Sequence, residues 1–357
     1  MDAVTGYPAV ALRPGVGEVS FGILGAGMVA DYHRRAIAAN AGEGARLASV
    51  GYHDRARAGE LSARFEAPCV SEAELLDDPG IDVVCICTPS GLHAEQVIRC
   101  ARSGKHVLVE KPMALDLQDA DEMIDVCERA DVRLGVVLQR RAEPLFVRLS
   151  EAISAGDLGR PTLGVIALPY HRPQSYFEQA AWRGTWALDG GGVLMNQGIH
   201  LVDLLIWYMG DPVEVTGQAR TLAHRLEVED TLSATLELSS GGLATVSATT
   251  TAAPGAPHRV EIYGTGGYVQ IEGESVRRWR LQDPDRAVVP PLPEESVDDT
   301  GAAGDPRGID LGGHSSILRD MMEAVRAGRR PMVDGREGRR SLAAVLSIYE
   351  AAGWLPA

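Results

Sequence analysis

Through the first ~140 residues, short apolar runs alternate with longer stretches whose apolar positions recur at helical spacing. The apolar runs are Val19–Leu24, Arg46–Val50, Ile81–Cys87, His106–Val109 and Leu134–Leu138. The spacing predicts helices after the first run as far as about Ala39, then over Ala56–Phe65, Glu72–Asp77, Ala94–Ser103 and Asp116–Ala130. Strands that are apolar at every position, separated by helices, belong to parallel sheets covered on both faces. This part of the chain therefore predicts one doubly wound unit.

From Pro161 the period shortens to two. Thr162–Leu168, Val213–Thr221, Thr231–Leu238, Leu243–Thr251, Arg259–Gly264 and Tyr268–Glu272 are rich in Thr, Val and Ile, and glycine pairs at 241–242 and 266–267 suit hairpins. A helix over 193–209 should pack on the resulting antiparallel sheet. Segment 283–312, rich in Pro, Gly and Asp, predicts a mobile loop. Two last helices, about Ser315–Ala327 and Gly338–Ala352, are expected to pack back on the first domain.

Composition narrows the function classes. The 357 residues carry 45% hydrophobic and 23% charged side chains with a net charge of -15. That balance is ordinary for a globular protein and argues against nucleic-acid or anionic-membrane partners. No run approaches the ~18 apolar residues of a membrane span, and residues 1–17 read as a flexible tail rather than a signal peptide. Five cysteines (Cys69, Cys85, Cys87, Cys100, Cys127) show no metal-type spacing, so no metal is expected and a cytoplasmic location is.

The first chemical signal is Gly25-Ala26-Gly27-Met28-Val29-Ala30, directly after a strand and opening a helix. This is the dinucleotide fingerprint in its required context. Gly25 permits the tight turn, Gly27 lets the backbone approach a pyrophosphate, and the amides near Met28 and Val29 face the phosphates. Past the next strand, Tyr52 occupies the place where an acidic residue would bind the NAD ribose. Asp54 could serve if the turn is offset, and otherwise His53, Arg55 or Arg57 could accept the 2′-phosphate of NADP. The choice between NAD and NADP stays open. Later strands end in Thr88-Pro89 with His93 nearby, in Glu110-Lys111-Pro112, and in Gln139, all on the ligand side of such a sheet. A partly desolvated Lys111 could exchange protons near neutrality.

The second signal is Gly190-Gly191-Gly192 followed by the stretch from Val193 to Asp203. Three glycines suit a flexible turn, and Asn196 and His200 stand i, i+4 on the helix after it, so they should share a face. Upstream, Tyr176, Trp182 and Trp186 offer flat aromatic faces and Arg183 offers fixed donors, with Tyr170 and His171 weaker candidates.

Taken in order, these elements, with His314 and Pro331-Met332-Val333-Asp334-Gly335, resemble the glucose–fructose oxidoreductase / inositol dehydrogenase family (Gfo/Idh/MocA). The resemblance covers the chain from about residue 18. It implies an α/β Rossmann dinucleotide-binding domain, here 18–142, and an α+β domain with a large open, mainly antiparallel sheet, here 143–357. It further implies NAD or NADP as cofactor, a sugar or cyclitol substrate, and a homodimer or homotetramer assembled through the C-terminal sheet. Lys111 and His200 match the family's lysine and histidine flanking the reacting hydroxyl. Where many members carry aspartate four residues before that histidine, this chain has Asn196, with Asp203 as a substitute partner.

The reaction so implied moves a hydride between nicotinamide and a secondary alcohol or ketone carbon. His200 is expected to be the general acid/base and Lys111 the cationic donor to the oxygen, although the two roles could be swapped. A ligand-sensing regulator of the same fold is the competing class, and retention of both Lys111 and His200 favours the enzyme. A reductase of a keto-sugar nucleotide or of a dihydrodiol-type substrate is a further alternative.

Overall fold

The apolar runs of the first part form one six-stranded sheet in the computed structural model, which describes residues 17–295 and 311–355. Strands Val19–Leu24 (β1), Ala45–Gly51 (β2), Cys69–Val70 (β3), Val83–Ile86 (β4), His106–Val109 (β5) and Leu134–Val136 (β6) lie in the order β3-β2-β1-β4-β5-β6. Every pairing is parallel. Because β1, β4, β5 and β6 are buried along their whole length, they read as continuous apolar runs. Helices Met28–Ala39 (α1), Ala58–Phe65 (α2), Glu72–Asp77 (α3), His93–Arg102 (α4) and Leu117–Arg129 (α5) connect them. The strand order reverses beside β1, so the crevice at the carboxyl ends of β1 and β4 is the expected ligand position.

The chain divides into two compact units, residues 1–139 with 311–339 and residues 140–310 with 340–357. The second contains helices Pro144–Ser154 (α6), Gln174–Phe177 (α7) and Ile199–Met209 (α8). Its strands are Pro161–Pro169 (β7), Pro212–Arg220 (β8), Thr231–Leu238 (β9), Leu243–Thr249 (β10), Arg259–Gly264 (β11), Gly267–Glu272 (β12) and Ser275–Leu281 (β13). They form one sheet in the order β13-β12-β11-β7-β10-β9-β8. All pairs are antiparallel except β7 with β10. One face is covered by α8: a Cβ on Gly164 of β7 would meet Leu205 Cδ1 at 2.6 Å and Met209 Sδ at 2.8 Å. Leu201, Leu204, Leu205 and Ile206 are all buried there, each stabilising the fold by about 1.5–3 kcal/mol. The opposite face carries Thr216, Ser233, Thr235 and Ser247 and is exposed.

Two strands were not legible in the hydrophobic pattern for a physical reason. β3 is only two residues long. β13 breaks the period-2 rule because its buried residues, Val276 and Trp279, stand three apart across a register shift opposite Gln270 and Ile271. The expected mobile loop is also partly corrected. Asp157 accepts from Val288 and Val289 amides at 2.9 and 2.8 Å, and Glu294 pairs with Arg280, so residues 283–295 are fastened along the sheet. The rest of that loop, 296–310, and the expected tail up to residue 16 lie outside the described residues.

The last two helices are Leu311–Ala327 (α9) and Gly335–Ala351 (α10). In the first unit α9 lies on α1, where Asn40 Nδ2 donates to Ser315 Oγ at 2.9 Å and Tyr32 stacks on His314 at 5.4 Å. The residues of α10 up to Arg339 belong to the first unit, and those from Arg340 onward to the second.

Candidate active site

The turn between β1 and α1 has the shape a pyrophosphate needs. Gly25 adopts φ +98, and a Cβ there would lie 2.7 Å from the Cys87 carbonyl oxygen, so only glycine fits. A Cβ on Gly27 would meet nothing within 4 Å. Gly27 is the N-cap of α1 and makes no side-chain cap, which leaves the first amides of the helix, with half-exposed Met28 and Val29, facing the open side. Arg64 of α2 clasps this loop by donating to the Ala26 carbonyl at 2.9 Å, a contact no motif announces. The residues present fit a bound dinucleotide.

At the end of β2, Tyr52, His53 and Arg57 do come together. The two rings lie 4.5 Å apart, and the Arg57 guanidinium stands 5.7 Å from the Tyr52 ring centre. Asp54 spends its carboxylate capping the next turn, accepting from Ala56 N at 3.0 Å. Arg57 is paired with Glu60 and Arg55 with Glu74.

The Glu-Lys-Pro turn after β5 is braced from behind. Glu110 is buried and accepts from His33 Nε2 at 2.9 Å and from the Lys111 amide at 3.3 Å, while His314 Nε2 stands 3.8 Å away. Burial resists a charge on Glu110, but His33, His314 and Lys111 outweigh it and hold the carboxyl below its ordinary value. His93 is buried, with Nδ1 at 2.9 Å from the Pro112 carbonyl and Nε2 at 3.0 Å from that of Thr88. It locks the two strand-end turns together. Lys111 itself is half-buried. Gln139 is buried under Gly313, and its Oε1 lacks a hydrogen-bond partner among the described residues.

In the second unit the glycine turn is not a hinge. A Cβ on Gly191 would fall 2.5 Å from the Tyr349 hydroxyl, and one on Gly192 would fall 1.7 Å from the Glu229 carbonyl oxygen. The glycines are there because two side chains press on the backbone. Residues Leu194–Gly198 then form a π turn that runs into α8. A π turn carries an extra residue relative to α geometry, so the expected i, i+4 stacking of Asn196 and His200 does not carry over unchanged, and such turns recur at functional sites. Both residues, with Gln197, are half-exposed on a segment otherwise buried.

Three carboxylates that sequence reasoning missed or misassigned surround this segment. Asp189 is buried and accepts from Asn196 Nδ2 at 2.9 Å and from Gly184 N at 2.9 Å. Glu229 is buried and accepts from Gly192 N, Leu194 N and the Tyr349 hydroxyl. Asp203, the expected substitute partner for His200, takes Arg141 Nε at 2.9 Å and Nη2 at 2.7 Å and also the Ser341 hydroxyl. It anchors α8. The only signal for Asp189 was its place before the glycines, and for Glu229 there was none.

Tyr176, Trp182 and Arg183 are gathered into one stack. The Arg183 guanidinium lies 4.3 Å from the Tyr176 ring centre and 4.8 Å from that of Trp182, and Arg172 lies 5.6 Å from Tyr176 on its own account. Tyr176 is buried, so it packs this cluster, whereas Trp182, Arg183 and Trp186 remain half-exposed. Tyr170 bonds His258 at 3.1 Å, and His171 forms a bridge with Thr251. Among the described residues no group of three or more His, Cys, Asp or Glu is placed to hold a metal ion.

Burial pushes the Glu229 carboxyl up to about 7, against the hydrogen bonds from Leu194, Tyr349 and Gly192 that favour its charge. A raised folded-state value means that between about pH 4.5 and 7 the unfolded chain releases a proton the folded chain retains. Stability from this group therefore falls by about 3 kcal/mol as pH rises through that window and is level above it. Urea unfolding should show wild type losing about 2.5 kcal/mol of stability relative to Glu229→Gln between pH 5 and pH 8. A difference independent of pH would contradict this assignment.

Comparison with known proteins agrees with the geometry. Residues 19–138 match the model of an oxidoreductase family with an NAD-binding Rossmann fold, and residues 146–270 match the GFO/IDH/MocA C-terminal domain. The chain is 30% identical over 283 residues to an inositol 2-dehydrogenase of Rhizobium meliloti, covering 77% of this chain and 82% of that one. It is 29% identical over 342 residues to a 1,5-anhydro-D-fructose reductase of Ensifer adhaerens, covering 93% and 96%. The crystal structure of the WlbA dehydrogenase from Bordetella pertussis in complex with NADH and UDP-GlcNAcA superposes with a TM-score of 0.82 at 31% identity, over 95% of this chain and 99% of that one. With an open dinucleotide turn in one unit and a braced histidine helix on a mixed sheet in the other, the chain is a member of the Gfo/Idh/MocA family of NAD(P)-dependent oxidoreductases.

Proposed function

We propose that this enzyme oxidises or reduces a secondary alcohol or ketone carbon of a sugar, glycoside or cyclitol. One observation carries the reading. The chain keeps both half-exposed groups such a reaction needs at the oxygen, Lys111 and His200, and each is held on a braced segment. When bound, the nicotinamide supplies the hydride acceptor or donor. Gly25, Gly27 and the first amides of α1 would hold the pyrophosphate, and Tyr52, His53 and Arg57 would meet the adenosine ribose. His200 exchanges the hydroxyl proton, and the Lys111 ammonium donates to the oxygen as its charge develops. Asn196, its amide fixed by Asp189, would orient the substrate, and the stacked Trp182 and Arg183 would supply it a flat face and fixed donors.

A second reading, a nucleotide-linked sugar acid as substrate, is favoured by two features. The Bordetella protein was solved with UDP-GlcNAcA, and cations cluster here around Tyr176. A non-catalytic sensor is the remaining alternative.

No helix among the described residues is long and apolar enough to cross a membrane. The five cysteines are all free thiols, which supports a cytoplasmic location. The exposed face of the second sheet, with Leu163 and Leu243 exposed on it, supports a homodimer or homotetramer built through that face. Sedimentation at micromolar concentration should give a dimer or tetramer, and a monomer would remove this part of the reading.

With inositols, pyranosides and sugar nucleotides offered alongside oxidised cofactor, at least one class should produce the reduced-nicotinamide absorbance. His200→Ala and Lys111→Ala should each lower kcat/KM by about 100-fold or more. His200→Ala should still quench or enhance cofactor fluorescence as wild type does. Full turnover in both variants would overturn the assignment, and tight cofactor binding without turnover on any substrate would favour the sensor.

A further inference from the structure

We propose that Glu229 and Tyr349 are positioning residues, forming a clamp that holds the backbone of residues 192–195 and thereby sets Asn196 and His200. The clamp rests on reading His200 as the acid/base only for its effect on rate. Its geometry stands by itself.

Four consecutive amides are taken up by these two residues. The Glu229 carboxylate accepts from Gly192 N at 2.9 Å through one oxygen and from Leu194 N at 2.9 Å through the other. The Glu229 carbonyl accepts from Val193 N at 3.2 Å. The Tyr349 hydroxyl accepts from Met195 N at 3.1 Å, stands 3.2 Å from Gly192 N, and donates to the Glu229 carboxylate at 2.8 Å. The next amide, Asn196 N, starts the helical ladder by donating to the Gly192 carbonyl at 3.0 Å.

A helix start leaves four donors without intrahelical partners, and a residue at the N-cap usually satisfies one of them. Here all four are satisfied from outside the helix, by a residue just before β9 and one on α10. Both are fully buried. Glycine at 191 and 192 is what lets them close on the chain, since any Cβ would collide with the Tyr349 hydroxyl or the Glu229 carbonyl. Such an arrangement is more than a helix cap needs. It fixes the direction of the first turn, and Asn196 and His200 are the half-exposed polar groups that the turn carries together with Gln197.

The test uses the full chain. Tyr349→Phe keeps the ring and its edge contact with Trp186 but loses every hydroxyl contact. It should raise deuterium uptake in peptides spanning 190–203. It should also lower kcat by about 10-fold or more while KM for the cofactor stays within about 2-fold. Glu229→Gln should act in the same direction, with less effect on uptake because one amide acceptor remains. His200→Ala should leave uptake unchanged. Unchanged uptake in Tyr349→Phe overturns the clamp itself. Raised uptake with wild-type kcat, in a protein whose His200→Ala variant is inactive, overturns the positioning role. If His200→Ala keeps full turnover, the acid/base reading fails instead, and the uptake measurement still decides the clamp.

Discussion

A carboxylate buried against backbone amides is costly unless every oxygen finds a donor, and this protein meets that condition wherever its site residues stand. Glu229 is the fullest case. Its two carboxylate oxygens and its carbonyl take three amides of the turn before α8, and the tyrosine beside it takes the fourth. Removing any donor would leave an uncompensated group in a dry interior, so the turn has one arrangement. The segment carrying Asn196 and His200 inherits that definition. Asp189 repeats the device on a side chain, by holding the Nδ2 end of the Asn196 amide. Arg141 and Ser341 fix α8 from behind by engaging Asp203.

The first unit uses the same physics with different partners. Glu110 is buried under the turn that ends in Lys111, and two histidines rather than amides supply most of its compensation. A lysine on an ordinary exposed turn would sweep through many rotamers and lose that entropy on binding. One whose backbone is tied to Glu110 and whose following proline is held by His93 has at least its backbone entropy already removed. The glycine turn at β1 adds the complementary feature, donors left open for a ligand rather than closed by the protein.

The sequence revealed the layers better than the braces. Continuous apolar strands predicted the parallel sheet, and period-2 runs predicted most of the second one, because burial on two faces or one leaves a direct trace in the pattern. The glycine fingerprint was readable because its chemistry is local. Glu229 and Tyr349 were invisible for the opposite reason: each acts on a backbone segment far along the chain, in the case of Tyr349 on Gly192, 157 residues away. The glycine triplet is legible as special and suggests flexibility, whereas Gly191 and Gly192 mark close approach. Asp203 was legible as a polar residue on the right helix, and its burial against Arg141 could not be read from spacing.

Buried carboxylates orient the polar groups of the site, and the Asp189–Asn196 pair lets this be measured. Steady-state kcat on an accepted substrate can be compared for Asn196→Asp and for Asp189→Asn combined with Asn196→Asp. The single variant sets two carboxylates where an amide and a carboxylate lay 2.9 Å apart, and kcat should fall by about 10-fold or more. The double variant again pairs an amide with a carboxylate and should recover most of the loss. A single variant as active as wild type, or a double variant no better than the single, would contradict the account.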